Sequence, residues 1–425
     1  MAKVKLDELD EIFGGDIINP SKENSKVDTF YDIGNYALNY IMSKNLKGGV
    51  PAGRVTGLEG LGSTGKSLLA LSMLRDPKID LAIIIETEGG GSSQELMEFA
   101  GVDLSKVRII KAHTFISYKI AKKTGKREEV ADKDVPAKSE TADYIYVKGA
   151  TLQIKQLMDT FILSNTLKNK KVVIILDSIA NIQSVREMNG TQDMGARAKD
   201  IGAFFRTFDN TIEKTKVAFV YTNKLYQNFG NVYDPYVAVG GENVFYNSSL
   251  IVRLSNTAES DDISDKEKKE DKANKNTSLG TQYSTLKGFV RKSRFGTKFR
   301  TAQFMIDSQL GVTRYSGLFK LLKDFSIIQG STWYTMESIW GDKKFHKKDF
   351  IKLFREDEEN NIIKLQEILD STELKMKEEK AKEMVNGEAD MNDSEDFQEE
   401  TSILDDLTEV DEDEISRQVI QDVEA

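Results

Sequence analysis

The sequence predicts an α/β fold with a doubly wound, mostly parallel central sheet. Apolar runs of strand length recur along the chain and alternate with amphipathic segments of helical period. A glycine-rich loop joins the first of these strands to the helix that follows it. Strands that alternate with helices build a parallel sheet through right-handed crossovers, with helices on both of its faces.

The predicted core strands are mostly continuous apolar runs, which is typical of strands buried on both faces. They span residues 53–59, 80–86, 107–110, 172–177 and 217–221. Apolar residues at helical spacing predict helices over residues 92–100, 151–163 and 195–214. An earlier helical run carries Tyr31, Ile33, Ala37, Leu38 and Ile41. A later pair of strands, flanking a basic turn, is predicted over residues 283–290 and 299–306.

Shifts in composition divide the chain into four predicted parts. Residues 1–27 form a short N-terminal arm, which is either a flexible terminus or a segment that docks on a neighbouring subunit. Residues 28–308 form the α/β core, with an inserted hairpin at 116–150 and a charged, disordered loop at 256–280. Residues 309–384 form a small α+β C-terminal domain that ends in a charged helix. Residues 385–425 form an acidic, disordered tail.

The composition argues against several classes of protein. The 425-residue chain has no cysteine and only two histidines, so it lacks the residues for disulfides, a cysteine nucleophile or a zinc site. No apolar run approaches the roughly 18 residues of a membrane span, and the N-terminus does not read as a signal peptide. We therefore expect a cytoplasmic protein that does not contact membranes.

The net charge of −10 is unevenly distributed. Residues 385–425 hold sixteen acidic residues and one basic residue, which leaves the rest of the chain at +5. A mildly basic body is compatible with a nucleic-acid partner but does not require one.

The glycine-rich loop matches the phosphate-binding pattern G-x-x-x-x-G-K-[ST]. Its backbone N–H groups and the start of the following helix are expected to cradle phosphates, Lys66 to reach the β- and γ-oxygens, and the Ser67 hydroxyl to bind Mg²⁺. The residues of this predicted nucleotide site are Gly60, Leu61, Gly62, Ser63, Thr64, Gly65, Lys66 and Ser67.

Acidic residues end two of the predicted strands. Asp177 closes the strand at 172–177 and, beside a phosphate loop, is expected to hold Mg²⁺ through water. Glu86 is the last residue of the strand at 80–86, and Glu88, two residues later, is followed by glycines that leave space around it. We favour Glu88 as the base that aligns the attacking water. The alternative is a helix-capping or solvated carboxylate.

Two loops after the last core strands have unusual composition. Residues 184–193 precede a long helix, and residues 226–242 interleave four aromatic residues with glycine and asparagine. Such aromatic side chains can stack on bases, or they can pack as a local cluster. A third feature is the basic turn at 291–294, which with Lys298 and Arg300 makes a cationic patch. This patch is either a solvated hairpin tip or the part of a nucleotide site supplied by a neighbouring subunit.

These motifs together resemble those of RecA-type DNA recombinases. The resemblance covers about residues 28–345 and is carried by the segments 48–54, 194–198, 240–241, 292–294 and 333–334 in their order and spacing. The Lys-Ser-Arg turn at 292–294, the segment 315–318 and the acidic C-terminus are most similar to the UvsX recombinases of T-even-like bacteriophages.

The resemblance implies a RecA-type P-loop ATPase core and a function. ATP-bound subunits would form a helical homo-oligomeric filament on single-stranded DNA, pair it with homologous duplex DNA and exchange strands. This activity belongs to recombination, repair and recombination-dependent replication. It implies ATP and Mg²⁺ as cofactors, a single-strand-binding protein and a recombinase loader as partners, and the host cytoplasm as the location of a phage-encoded protein.

The resemblance also implies roles for individual residues. Glu88 falls on the water-activating glutamate, and Lys292 and Arg294 fall on the pair that contacts the γ-phosphate across the subunit interface. With Lys66 they are the candidate catalytic residues. The two unusual loops fall on the DNA-binding loops, whose candidate residues are Arg186, Met188, Asn189, Arg197, Tyr226, Phe229, Tyr233, Tyr236, Gly240 and Gly241.

The chain departs from the family pattern at several places. Asn223-Lys224 stands where the family has Asn followed by Gln or His, so a charged residue would sense the phosphate. Glu95 replaces the aromatic residue that stacks on adenine in cellular relatives. The hairpin at 116–150 has no counterpart that we recognise, and the acidic tail, which is longer than expected, would compete with DNA for the basic body.

Two other functions remain open from the sequence. A hexameric helicase on the same ATPase fold would need a large additional N-terminal domain, for which residues 1–27 are too short. A non-catalytic ATP-binding DNA assembly protein would have the same phosphate loop without turnover.

Overall fold

The fold is that of a computed structural model. The structure describes residues 27–89, 93–163, 169–191, 194–228, 235–257, 282–295 and 298–385. The predicted arm up to residue 26, most of the charged loop at 256–280 and the tail from residue 386 lie outside these residues.

The elements alternate along the chain as the sequence predicts. The strands are β1 (Phe30–Tyr31), β2 (Val50–Pro51), β3 (Val55–Gly60), β4 (Leu81–Glu86), β5 (Val107–Lys111), β6 (Tyr118–Ala121), β7 (Arg127–Glu129), β8 (Tyr144–Val147), β9 (Val172–Asp177), β10 (Ala218–Gln227), β11 (Tyr236–Ala238), β12 (Leu250–Asn256), β13 (Tyr283–Ser293), β14 (Thr301–Asp307), β15 (Gly311–Val312), β16 (Gln329–Gly330) and β17 (Tyr334–Thr335).

The α-helices lie between and after these strands. They are α1 (Tyr36–Ser43), α2 (Lys66–Ser72), α3 (Gln94–Phe99), α4 (Ala150–Leu163), α5 (Val185–Met188), α6 (Met194–Thr215), α7 (Gly241–Asn247), α8 (Leu318–Asp324), α9 (Glu337–Trp340), α10 (Phe350–Glu356) and α11 (Glu358–Val385).

A large central sheet organises the described part of the chain. Its strand order is β15-β14-β13-β12-β3-β10-β9-β4-β5, and β11 pairs with β10 beyond this path. The strands from β12 to β5 run parallel to one another, whereas β13, β14, β15 and β11 pair antiparallel. The predicted α/β class with a mostly parallel central sheet is therefore confirmed.

Both faces of this sheet are covered by apolar packing. On β4, Ala82 and Ile84 pack on one face and Ile83 and Ile85 on the other, which explains the uninterrupted apolar run. One core contains residues of α1, α2, α8, α10 and α11, and the other contains residues of α4, α6 and α7. Burial of each such large side chain contributes about 1.5–3 kcal/mol to folding.

Several element boundaries differ from the sequence prediction. The first helix begins at Tyr36 and not near Tyr31, because Gly34 takes a left-handed φ of 100° and the Asn35 side chain caps the helix by accepting from the Leu38 N–H. Strand β10 runs beyond residue 221 and includes Asn223 and Lys224.

The basic segment at 291–294 is not the turn that we expected. Arg291, Lys292 and Ser293 belong to β13, because this strand continues to pair with β12 as far as the Ile251–Lys292 and Leu250–Ser293 registers. The predicted strand at 283–290 therefore ends three residues too early.

The segment between β5 and α4 forms a small antiparallel sheet of its own. Strands β6 and β7 make a hairpin, and β8 returns to pair with the other side of β6. The sheet contacts α5, where the Arg127 guanidinium donates to Met188 O at 3.2 Å and the Asn189 amide donates to Arg127 O at 2.8 Å. The inserted segment is therefore joined to the loop at 184–193.

The long helix α11 packs back on the first part of the chain. Glu373 is buried and accepts hydrogen bonds from the Tyr40 hydroxyl at 2.6 Å and from Lys44, and it lies 2.7 Å from the Arg300 guanidinium. Glu358 accepts from Tyr36 at 2.5 Å and from Tyr315 at 2.7 Å. No helix among the described residues has the length and apolar character of a membrane span.

Candidate nucleotide and nucleic-acid site

The phosphate loop lies between β3 and α2, at the carboxyl edge of the sheet. Strand β3 ends at Gly60 and α2 begins at Lys66. Gly65 has a φ of 71°, and a Cβ there would lie 2.6 Å from the Ile306 side chain, so this position requires glycine. Gly62 has open space around it, and residues 61–63 are exposed, which leaves the outer side of the loop accessible to an anion.

Lys66 is held inside this loop. Its ammonium donates to Gly60 O at 2.9 Å and also to Leu61 O. Burial lowers the pKa of Lys66, and the nearby carboxylates of Asp177 and Glu88 partly oppose that effect. The Lys66 ammonium is thus bound to carbonyl oxygens, and phosphate oxygens can replace them as its hydrogen-bond acceptors.

Asp177 ends β9 next to the start of α2. Its Oδ1 accepts from the Ser67 hydroxyl at 3.1 Å and from the Thr222 hydroxyl. Burial raises the pKa of Asp177, although both hydrogen bonds act in the opposite direction. A hydroxyl and a single carboxylate fit Mg²⁺, which usually keeps several waters and takes its other ligands from the nucleotide phosphates. The described residues contain no group of three or more His, Cys, Asp or Glu side chains that could hold a metal ion.

Glu88 follows β4, the strand adjacent to β9. Its Oε1 accepts from the Ser178 hydroxyl at 2.8 Å and lies 3.7 Å from the Lys224 ammonium. The Glu88 side chain is 29% exposed, whereas Glu86 is buried, with only 9% of its surface exposed. Of the two acids, Glu88 is the one more accessible to a water molecule, and the structure brings it together with Lys224, which the sequence did not indicate.

Asn223 and Lys224 have separate environments on β10. Asn223 is fully buried and donates from its amide to Val239 O at 2.9 Å, which ties β10 to the end of the second loop. Its Oδ1 has no hydrogen-bond partner among the described residues. Lys224 is 42% exposed beside Glu88. Asn223 and Lys224 therefore contact different parts of the site, although they are adjacent in sequence.

Part of the second loop lies next to the phosphate loop. A cleft of about 50 Å³ is lined by Leu61 and Thr64 from the phosphate loop and by Tyr236 from β11. Tyr226 is 54% exposed at the end of β10, as a base-stacking side chain must be. Phe229 and Tyr233, the other two aromatic residues of this loop, lie outside the described residues.

The double glycine after β11 starts helix α7. Gly240 has a φ of 87°, and a Cβ there would lie 2.4 Å from Val244, so a side chain would displace the helix. Gly241, with a φ of 59°, is the first residue of α7. These glycines have a conformational role at the end of the second loop.

The first loop is anchored by a helix cap and by the inserted sheet. Ser184 and Glu187 form a capping box at the start of α5. Arg186 and Asn189 are exposed, and Met188 is half-buried. Arg197 lies on α6 with its guanidinium 3.9 Å from Glu187, so it adjoins the same loop.

Lys292 and Arg294 lie at the carboxyl end of α7. Lys292 donates to the carbonyl oxygens of Phe245 at 2.5 Å and Tyr246 at 3.2 Å, and Arg294 donates to Tyr246 O at 3.0 Å. Cations are favourable at a helix carboxyl end, because its last carbonyls lack partners. Burial lowers the pKa of Lys292 to about 8, and the charges of Arg294 and Lys298 add to this effect.

Arg300 is not part of this cationic patch. Its guanidinium pairs with Glu373 on α11 and lies over the Tyr40 ring at 5.5 Å. The expected patch is therefore smaller than the sequence indicated. Glu95, the residue in place of an aromatic, lies in the first turn of α3, where hydrogen bonds from its own backbone and from Ser93 lower its pKa.

A buried charge cluster below the phosphate loop was missed by the sequence reasoning. Glu59 is 1% exposed and immediately precedes Gly60. Its Oε2 lies 3.9 Å from the Arg253 guanidinium and 3.8 Å from that of Arg291. An acidic residue inside an apolar strand was the available signal, because a buried charge requires partners of opposite sign.

The chain is distantly similar to RecA proteins. It is 26% identical over 171 residues to Protein RecA of Phytoplasma mali, an alignment that covers 39% of this chain and 47% of that protein. It is 24% identical over 299 residues to Protein RecA of Oleidesulfovibrio alaskensis, which covers 68% of this chain and 69% of the relative. The chain thus spans about half the length of the first relative and about two thirds of the second. No family model matches the chain.

Proposed function

We propose that this protein is an ATP-dependent DNA recombinase that forms helical filaments on single-stranded DNA and catalyses homologous pairing and strand exchange. The observation that supports this most strongly is that Lys66, Ser67, Asp177 and Glu88 lie together beside the carboxyl ends of β3, β9 and β4 in the central sheet. Similarity to RecA proteins and the two adjoining loops support the DNA-directed part of the proposal.

The residues of the phosphate loop would bind ATP and Mg²⁺. Bound ATP supplies the phosphoanhydride bond that is hydrolysed, and Mg²⁺ neutralises charge on its phosphates. Lys66 exchanges its carbonyl partners for phosphate oxygens, and Ser67 and Asp177 hold the metal side of the site. Glu88 orients a water molecule and accepts its proton, while Lys224 and Ser178 hold the carboxylate in position.

Coupling between ATP and DNA follows from the position of the second loop. Strand β10 carries Lys224 beside Glu88 and continues to Tyr226 at the start of that loop. A change in the phosphate contacts of Lys224 would therefore shift the segment that contacts DNA. Lys292 and Arg294 would complete the site of a neighbouring subunit, so that ATP stabilises the filament and hydrolysis weakens it.

Three features of the sequence resemble the UvsX recombinases of T-even-like bacteriophages. The segments 292–294 and 315–318 and the acidic C-terminus favour a UvsX-like recombinase of a T-even-like bacteriophage, acting in the host cytoplasm. A single-strand-binding protein and a recombinase loader would be its partners.

Electron microscopy and ATPase assays test this function together. With single-stranded DNA and a slowly hydrolysed ATP analogue, we expect helical filaments, and with ATP we expect DNA-stimulated hydrolysis. Lys66→Ala is expected to abolish both, whereas the control Lys170→Ala, an exposed lysine paired with Asp80, leaves both unchanged. Closed hexameric rings would instead indicate a helicase, and filaments without any hydrolysis would indicate a non-catalytic assembly protein.

A further inference from the structure

An exposed aromatic stack lies on the C-terminal part of the chain, away in sequence from the two loops. Trp333 is 54% exposed, and its ring centroid is 3.8 Å from that of His346, with the planes tilted by 34°. Trp333 is the largest exposed side chain among the described residues, and this stack has no part in the nucleotide site.

The backbone holds both rings in place. Tyr334 and Phe345 exchange two hydrogen bonds of 2.9 Å, which sets Trp333 opposite His346. His346 Nδ1 lies 3.2 Å from Thr332 O. Gly330 has a φ of 110°, and a Cβ there would lie 2.1 Å from Trp333 O, so the tight hairpin depends on this glycine. A ligand that stacks on Trp333 thus meets a ring that is already ordered.

Several lysine residues lie close in sequence to the stack. Residues 329–352 contain five lysines and three acidic residues. Lys343, Lys344 and Lys348 are exposed, and Lys347 lies 5.1 Å over the Phe319 ring. Lys344 is separated from His346 by a single residue, Phe345, which bridges to Tyr334. The surface therefore combines an open aromatic face with cations that favour a polyanion.

We propose that the Trp333–His346 stack is a binding site for the unpaired bases of single-stranded nucleic acid, additional to the loops at 184–193 and 226–242. The inference rests on the proposed function for its choice of a nucleic-acid ligand. Base stacking on an exposed aromatic ring needs no particular sequence, and nearby lysines bind the phosphates. A duplex keeps its bases inside the helix and offers only phosphates, for which an exposed indole is not required.

The two tryptophans of the chain provide a direct test. Trp340 packs against Phe345 and Phe350 and donates to Asn361, so Trp340→Phe keeps an aromatic ring at this position and leaves Trp333 as the only indole. A twelve-nucleotide oligothymidylate is titrated into this variant without any nucleotide. We expect the Trp333 emission to fall by at least half at saturation, and a duplex of equal length to leave it nearly unchanged.

Substitutions at the stack separate stacking from charge. Trp333→Ala is expected to weaken oligothymidylate binding by about fivefold or more, whereas Trp333→Phe keeps an aromatic ring and stays within about twofold. Lys344→Ala is expected to reduce the salt dependence of binding without removing the quenching. Circular dichroism of each variant establishes that it is folded.

Three outcomes overturn the inference. They are equal quenching by duplex and single strand, equal affinity of Trp333→Ala and the parent, and stronger quenching by a peptide of residues 386–425 than by the oligonucleotide. The last result would make the acidic tail the occupant. Filament formation with unchanged Trp333 emission would reject this site alone, whereas quenching without filaments would reject the proposed recombinase and retain the site.

Discussion

At the scale of single residues, the candidate site depends on carboxylates at the ends of neighbouring strands. Asp177 accepts hydrogen bonds from two hydroxyl groups, and Glu88 lies beside the Lys224 ammonium. Both acids were predicted from the sequence, because each follows an apolar strand and this pattern is local. The pairing of Glu88 with Lys224 was not predictable, since it depends on how β4 and β10 are ordered in the sheet.

Replacement of Glu88 tests its role as the base. Glu88→Gln keeps the acceptor for the Ser178 hydroxyl but cannot take a proton, so we expect ATP hydrolysis to fall by about 100-fold. Nucleotide affinity is expected to stay within a few-fold, because the proposed phosphate contacts are those of Lys66 and the loop. The measurements are steady-state hydrolysis and equilibrium binding of a fluorescent ATP analogue. A larger loss of hydrolysis in a folded Glu86→Gln variant would assign the base to Glu86 instead.

The lowered pKa of Lys292 makes its protonation testable. With a pKa of about 8 in the folded subunit, against 10.5 for an ordinary lysine, the folded protein binds fewer protons than the unfolded chain between these values. Through this residue the isolated subunit therefore gains stability as the pH rises through that window. At pH 8, an amine-acylating reagent is expected to label Lys292 several-fold faster than the exposed Lys170.

Filament formation is expected to reverse this reactivity. If Lys292 contacts the γ-phosphate of a neighbouring subunit, the phosphate raises its pKa and shields it, so labelling in the presence of DNA and an ATP analogue falls. Mass spectrometry of labelled peptides measures both rates, with Lys170 as the internal control. Unchanged labelling of Lys292 in a verified filament would place the residue outside the subunit interface.

At the scale of elements, the inserted sheet of β6, β7 and β8 contacts the first loop. Arg127 donates to the carbonyl of Met188 and its own carbonyl accepts from Asn189. The short helix α5 is thereby held from one side by the inserted sheet and from the other by its capping box. We infer that the insertion positions the first loop.

Arg127→Ala is expected to lower affinity for single-stranded DNA by about fivefold, the equivalent of one net hydrogen bond. ATP hydrolysis in the absence of DNA is expected to remain unchanged, because Arg127 does not contact the phosphate loop. Lys126→Ala is the matched control, since Lys126 is 68% exposed on the same hairpin and pairs only at 3.4 Å with Glu128. Equal affinities of the two variants, measured by fluorescence anisotropy, would show that the contact does not position the loop.

Elements were predicted well where their pattern is local and poorly where pairing decides their length. The strand at 172–177 was predicted with its bounds, because its apolar run is continuous and ends at Asp177. Strand β13 extends through Arg291 and Lys292 because β12 provides a partner there, and charged residues give no sign of this. Likewise, only the third strand β8 turns the expected hairpin at 116–150 into a sheet.

At the scale of the whole molecule, helix α11 connects the C-terminal part of the chain to α1. Burial alone would raise the pKa of Glu373, but hydrogen bonds from Lys44, Tyr40 and Arg300 lower it. Its contribution to stability is therefore present above the ordinary glutamate pKa and is lost as the pH falls through the lower, folded value. The sequence showed a charged helix but could not show which of its acids is buried.

Glu373→Gln is expected to lower the free energy of unfolding at pH 7 by about 2 kcal/mol, because Lys44 and Arg300 lose their common counter-charge. The loss relative to the parent is expected to shrink on acidification. Glu367→Gln, at an exposed position of the same helix, is the control and is expected to change stability by less than about 0.5 kcal/mol. Urea denaturation at pH 7 and pH 4 measures both, and equal stability of the two variants at pH 7 would show that Glu373 does not fasten the helix.

The uneven charge of the chain leads to a prediction about the acidic tail. Sixteen acidic residues in 385–425 follow a body of charge +5, so the tail and DNA carry the same sign and are attracted to the same surfaces. Deletion of residues 386–425 is expected to tighten binding of single-stranded DNA, most strongly at low salt, because screening at physiological ionic strength acts within about 8 Å.

A variant whose tail acids are changed to Asn and Gln has the same length and separates charge from volume. If charge is responsible, this variant matches the deletion and both have a steeper salt dependence than the parent, since more phosphates are then neutralised by lysine and arginine. The salt dependence of DNA affinity is measured over about a fourfold range, from 50 mM to 200 mM salt. An unchanged slope would show that the tail does not compete with DNA.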